Sequence, residues 1–148
     1  MPASSRVAFL LSQVGSHASA GFNELVRALG LSPADAGVLR MLGRQPGMSQ
    51  RALADRLGSP PSRMVAVIDR LEARGLVTRT RSASDRRNYE LSLTAAGSDT
   101  LAQLRRIAER HDSDLLAALS PSQSAALADI LATLADAHGL DRDIHRAT

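Results

Sequence analysis

The chain has 148 residues, 44% of them hydrophobic but only 2% aromatic, enough for one domain with helical extensions whose core is built from Leu, Ala and Val. It has no cysteine, which excludes disulfides, thiolate metal sites and thiol redox sensing, and no run approaches the ~18 consecutive apolar residues of a membrane helix. All 18 basic residues are Arg, and the net charge of +3 hides a gradient: eleven arginines against four acids between Arg40 and Arg87, but five against eight from Gly97 onward. A basic middle beside an acidic end points to a polyanion docking on one region. The N-terminus lacks the basic start and uninterrupted apolar core of a signal peptide, so a soluble, cytoplasmic chain with no membrane partner is expected.

Residues 5–29 predict a long first helix, with Val7, Leu10, Leu11, Val14, Phe22, Leu25 and Leu29 on its apolar stripe and Gly30 as the stop. That stripe exceeds what one small domain covers, so the helix reads as an oligomerisation arm. Ser32-Pro33-Ala34-Asp35 signals a second helix, with Val38, Leu39 and Leu42 inward and an end at Gln45-Pro46-Gly47. Ser49 caps a third, with Ala52, Leu53 and Leu57 inward and Gly58 closing it. A tight turn over 58–61 leads to a fourth helix, for which Ser59 is the expected N-cap and Pro60 the first helical position. Met64, Val67, Ile68 and Leu71 form its apolar stripe, and Gly75 its left-handed stop. Leu76–Thr80 and Tyr89–Thr94 then alternate as strands around an Arg-rich tip, Arg81 to Asn88.

Beyond Gly97 a long helix is predicted, with Leu101, Leu104, Ile107, Ala108, His111, Leu115 and Leu119 along its stripe. Ser120-Pro121-Ser122-Gln123 is a capping box opening the last helix, which carries Leu127, Ile130, Leu131 and Leu134 and ends at Gly139. The charged tail 140–148 is expected to fray. The predicted architecture is mainly α with a small β-hairpin wing: a winged helix-turn-helix domain at 33–97, flanked by helical dimerisation arms at 1–32 and 98–148. A capped helix followed by a basic-tipped hairpin is the layout of a DNA reader.

Leu71-Glu72-Ala73-Arg74-Gly75-Leu76-Val77, Asp85-Arg86-Arg87 and Leu91-Ser92-Leu93-Thr94-Ala95-Ala96-Gly97 together resemble the MarR-type regulators, whose pattern runs L-E-x-x-G-L-V, D-x-R, L-x-L-T-x-x-G. The spacing matches without a gap, and the helix order matches over nearly the whole chain. The resemblance implies a homodimeric winged-helix transcription factor, most often a repressor, on a pseudo-palindromic operator of double-stranded DNA. It also implies release by a small aromatic or phenolic effector held between the dimer arm and the DNA-binding lobe.

By that similarity Ser62, Arg63 and Ala66 enter the major groove, where Arg63 can fork onto guanine O6 and N7 and Ala66 can meet a thymine methyl. Val65 either joins them or packs at the turn. Asp85 and Arg87 match the wing motif, in which the Arg enters the minor groove and the Asp holds it in position. Arg81 and Arg86 read as phosphate contacts. Arg40, Arg44, Arg51, Arg56 and Arg70 are further basic candidates for the backbone, as is Ser49 at a helix N-terminus. His17 and His111 lie in apolar stretches of the arms, either as polar groups of an effector pocket or, more ordinarily, as satisfied core or interface histidines. Four scattered histidines without cysteine give no metal-ligand spacing, so neither metal nor cofactor is expected.

Two other classes compete. An architectural or RNA-binding winged domain would share the fold but lack sequence preference. An enzyme would need a framed nucleophile or acid pair, and none is recognisable in the sequence.

Overall fold

The computed structural model describes residues 6–143 and orders them as α1 (Val7–Ala28), α2 (Pro33–Arg44), β1 (Met48–Ser49), α3 (Gln50–Leu57), α4 (Pro61–Ala73), β2 (Val77–Arg81), β3 (Tyr89–Leu93), α5 (Ala95–Leu115) and α6 (Pro121–Ala137). Local chemistry explains most boundaries. The Ser32 hydroxyl accepts from the Asp35 amide while the Asp35 carboxylate accepts from the Ser32 amide, and Ser120 with Gln123 repeats this box on α6. Ser49 caps α3 by accepting from the Ala52 amide, and Gly58 ends that helix at φ 62°, a left-handed conformation that suits glycine.

The three strands lie in the order β1-β3-β2, all antiparallel, with Val77 opposite Leu93, Arg79 opposite Leu91 and Arg81 opposite Tyr89. β1 is absent from the sequence prediction. At two residues it is too short to show alternation, and it exists because Met48 and Ser49 pair with Leu91 and Glu90. Three other boundaries also differ. α4 starts at Pro61 with Pro60 as its cap residue, so Ser59 does not cap it; the Ser59 amide instead donates back to the Ala54 carbonyl. α5 starts two residues before Gly97 because Thr94 is its N-cap, accepting from the Gly97 amide. It ends at Leu115, and the turn that follows closes with the Leu119 amide donating to Leu116.

Gly97 has a packing role: a Cβ there would collide with the backbone carbonyl of Leu76. The Thr94 amide also donates to that carbonyl, and the Thr94 hydroxyl donates to the Gly75 carbonyl at 2.6 Å, so the root of the hairpin is locked to the start of α5.

The core belongs to the middle of the chain. Val38, Leu39, Met41 and Leu42 of α2, Leu53 of α3, Met64, Val67, Ile68 and Leu71 of α4 and Leu91 of β3 are buried together, joined by Val26 of α1 and Leu104 of α5. Each such side chain contributes about 1.5–3 kcal/mol when withdrawn from water. The arms are different. Val7, Phe9, Leu10, Leu11 and Val14 of α1 and Ile130, Leu131 and Leu134 of α6 are exposed, and α6 buries no residue. At the C-terminal end of the described residues Arg142 pairs with Asp136, and Arg44 donates to Asp143 at 3.0 Å. Of the tail expected to fray, 140–148, residues 144–148 lie outside the described residues. No helix among the described residues is long and apolar enough to cross a membrane.

Candidate nucleic-acid interface

Burial of Met64, Val67, Ile68 and Leu71 turns the opposite face of α4 to solvent, because 3.6 residues per turn puts Ser62, Ala66 and Asp69 about half a turn away. Ser62, Arg63, Val65 and Ala66 are all exposed. Val65 is 41% exposed, so it does not pack at the turn as one of its two sequence readings held. An apolar side chain and an arginine thus flank the small residues Ser62 and Ala66 on a surface open enough for a groove.

The hairpin carries the second element. Asp85 organises its tip: one carboxylate oxygen accepts from the Arg87 amide at 3.0 Å and the other from the Asn88 side chain at 3.2 Å. The contact that Asp85 makes with Arg87 is thus to its backbone amide. Arg86 and Arg87 are exposed, and Arg81 lies 5.8 Å over the Tyr89 ring. Arg51 and Arg56 of α3 are exposed. The Ser49 hydroxyl accepts the Ala52 amide as a cap and keeps its own proton for a further acceptor.

Several arginines are committed elsewhere. Arg70, expected on phosphate, donates to the buried Asp35 carboxylate at 2.6 Å, tying α4 to the N-terminus of α2. Asp35 is 1% exposed, so the pairing satisfies a carboxylate that burial would otherwise penalise. Arg74 donates to the Gly30 carbonyl at 2.6 Å. Arg40, also expected on phosphate, lies with its guanidinium 4.9 Å over the Phe22 ring, and burial holds its pKa below the usual arginine value. The sequence reading missed Arg79 of β2 altogether. It donates to Asp69 at 2.6 Å and Gln50 at 3.4 Å, and sits 3.5 Å from Glu72.

Arg40 faces a cleft of about 720 Å³ between α1, α2 and α5, lined also by Phe22, Arg44, His111, Arg142 and Asp143. His111 Nε2 donates to the Ala18 carbonyl at 2.9 Å. A carbonyl can only accept, so in the neutral ring Nδ1 remains an acceptor. His17 is exposed and is not among the residues lining the cleft, so the two expected pocket histidines are not brought together.

Comparison with known proteins agrees with this layout. The model of the MarR family matches residues 29–88, from the end of α1 to the wing tip. A protein of Thauera aromatica whose name assigns it to regulation of the hcr operon is 34% identical over 119 residues, covering 78% of this chain and 72% of that protein. The transcriptional repressor MdtR of Bacillus subtilis is 32% identical over 122 residues, covering 80% of this chain and 76% of its own. Among solved structures, the transcriptional repressor CouR bound to a 23-mer DNA duplex superposes with a TM-score of 0.75 at 38% identity, over 89% of this chain and 94% of CouR. The chain is a winged-helix protein of the DNA-binding, transcription-regulating class. It belongs to the MarR family.

Proposed function

We propose that the chain is the subunit of a homodimeric repressor that binds a pseudo-palindromic operator and releases it when a small aromatic or phenolic acid enters the α1–α2–α5 cleft. The observation that carries the DNA reading is the exposed leading turn of α4 beside a basic wing tip. Ser62, Arg63 and Ala66 read base edges in the major groove, and Arg87 enters the minor groove. Arg51, Arg81, Arg86 and Ser49 contact phosphates. Arg40 and Arg70 drop out of that set because Phe22 and Asp35 engage them.

The exposed stripes of α1 and α6 support the dimer, since a row of five large apolar side chains on one helix arm costs free energy in water until a partner covers it. Two winged lobes then meet half-sites about one helical turn apart, ~10 bp centre to centre. In the cleft, Arg40 offers a positive charge over an aromatic ring and His111 an acceptor nitrogen, which suits an acid with a ring and a hydroxyl.

Selection of binding sites from random DNA tests the core of this reading. A two-fold motif bound by a dimer is expected, and equal affinity for bulk DNA would replace it with the architectural reading. Titration of the complex with a panel of aromatic carboxylic acids and phenols tests the cleft. Arg40→Ala is expected to abolish any release while leaving operator affinity unchanged.

A further inference from the structure

Besides the apolar packing of Val77 at its root, the wing reaches α4 through the side chain of Arg79. Arg79 and Val77 lie on the same face of β2, two residues apart, and Val77 is buried against the core while Arg79 reaches outward along α4. Its guanidinium meets Asp69 at 2.6 Å and Glu72 at 3.5 Å, both on α4, and Gln50 of α3 at 3.4 Å. Three elements thus converge on one planar donor group, whose side chain is 24% exposed. Beyond this point the hydrogen bonds of the tip run within the tip: Ser82 with Ser84, Asp85 with Arg87 and Asn88, and the Ser82 amide to the Asn88 carbonyl. About 7 Å of strand separates Arg79 from Arg81, where the tip begins. A small rotation at Arg79 is therefore enlarged at Arg87.

We propose that Arg79 is a positioning residue, which holds the wing at the angle to α4 that lets helix and tip engage one duplex at once. This rests on the reading that α4 and the wing both enter grooves. Arg79 does not face phosphate in this role, because its guanidinium is turned to Asp69 and Glu72. Its planar fork suits two carboxylates and an amide better than an ammonium would. The guanidinium also neutralises Asp69, 56% exposed on the outward face of α4, where a bare carboxylate would repel DNA.

The test compares Arg79→Met, Arg79→Lys and Asp69→Asn with the wild type by site selection from random DNA and by the salt dependence of binding. Arg79→Met is expected to weaken operator binding roughly tenfold. It should lose the preference for narrow, A·T-rich flanks, keep the major-groove positions and leave the salt slope unchanged. Arg79→Lys should recover part of the flank preference. Asp69→Asn, an exposed substitution that spares folding, should lose part of it, whereas simple relief of repulsion would raise affinity for all sequences. A slope reduced by about 0.9 in Arg79→Met would make Arg79 a phosphate contact and overturn the proposal. So would flank preference unchanged in Asp69→Asn. A wild type that selects no motif would instead overturn the groove reading itself, so the two failures are distinguishable.

Discussion

α4 and α6 have similar apolar patterns and opposite fates. Met64, Val67, Ile68 and Leu71 recur at helical spacing in α4 and are all buried by α2, α3 and the hairpin. Leu127, Ile130, Leu131 and Leu134 recur in the same way in α6, yet none is buried, and Ile130 is 57% exposed. Periodicity dictates that a stripe exists, but what covers it depends on elements elsewhere. The winged lobe finds its cover within the chain. The first half of α1 and the stripe of α6 do not, so they are surfaces for a second copy under the proposed function.

The harshest way to break that contrast is to charge the arms. Leu11→Asp or Leu131→Asp places a carboxylate on the face that the proposed dimer would cover, at an expected cost of several kcal/mol. Monomers without operator binding are expected in sedimentation, and an intact, DNA-competent dimer in both variants would end the arm assignment. Trimming the lobe should behave differently. Leu71→Ala, at a fully buried position, is expected to lower stability by about 2–5 kcal/mol in urea denaturation. Leu131→Ala should instead weaken association, an effect that grows on dilution.

Within the lobe the comparison sharpens to helix against wing. Arg63→Ala should cost roughly 1–3 kcal/mol on the operator and relax one position per half-site in site selection. Recovery of the wild-type motif at unchanged affinity would mean that α4 does not read bases. Arg87→Ala should weaken binding and lose A·T-rich flank preference while sparing the major-groove positions. Asp85→Ala should be a milder copy, because it frees the Arg87 amide and Asn88 but leaves the guanidinium in place. The smallest effect is expected for Arg86→Ala: a uniform loss across sequences, with the slope of log K against log[salt] flattened by about 0.9. An unchanged slope would remove Arg86 from the interface.

The sequence by itself determined the helices, the wing and most caps, because each rests on interactions within a few residues. The Ser32 N-cap, the Ser120–Gln123 box, the Ser49 cap and the apolar stripe of α4 were all legible from spacing. The linked motifs from Leu71 to Gly97 were enough to suggest the family. Only the tertiary structure decided where each arginine spends its charge. Arg40 and Arg63 both sit on exposed-looking stretches of amphipathic helices, yet one lies over Phe22 and the other is open to solvent. Arg70 finds Asp35 from 35 residues away, and Arg79 finds Asp69 and Glu72 across a turn of the chain. β1 was invisible for the same reason, since it consists of two residues given strand geometry by Leu91 and Glu90. A polar face is fixed by helical period, a local quantity, but the element that face meets depends on packing between distant segments.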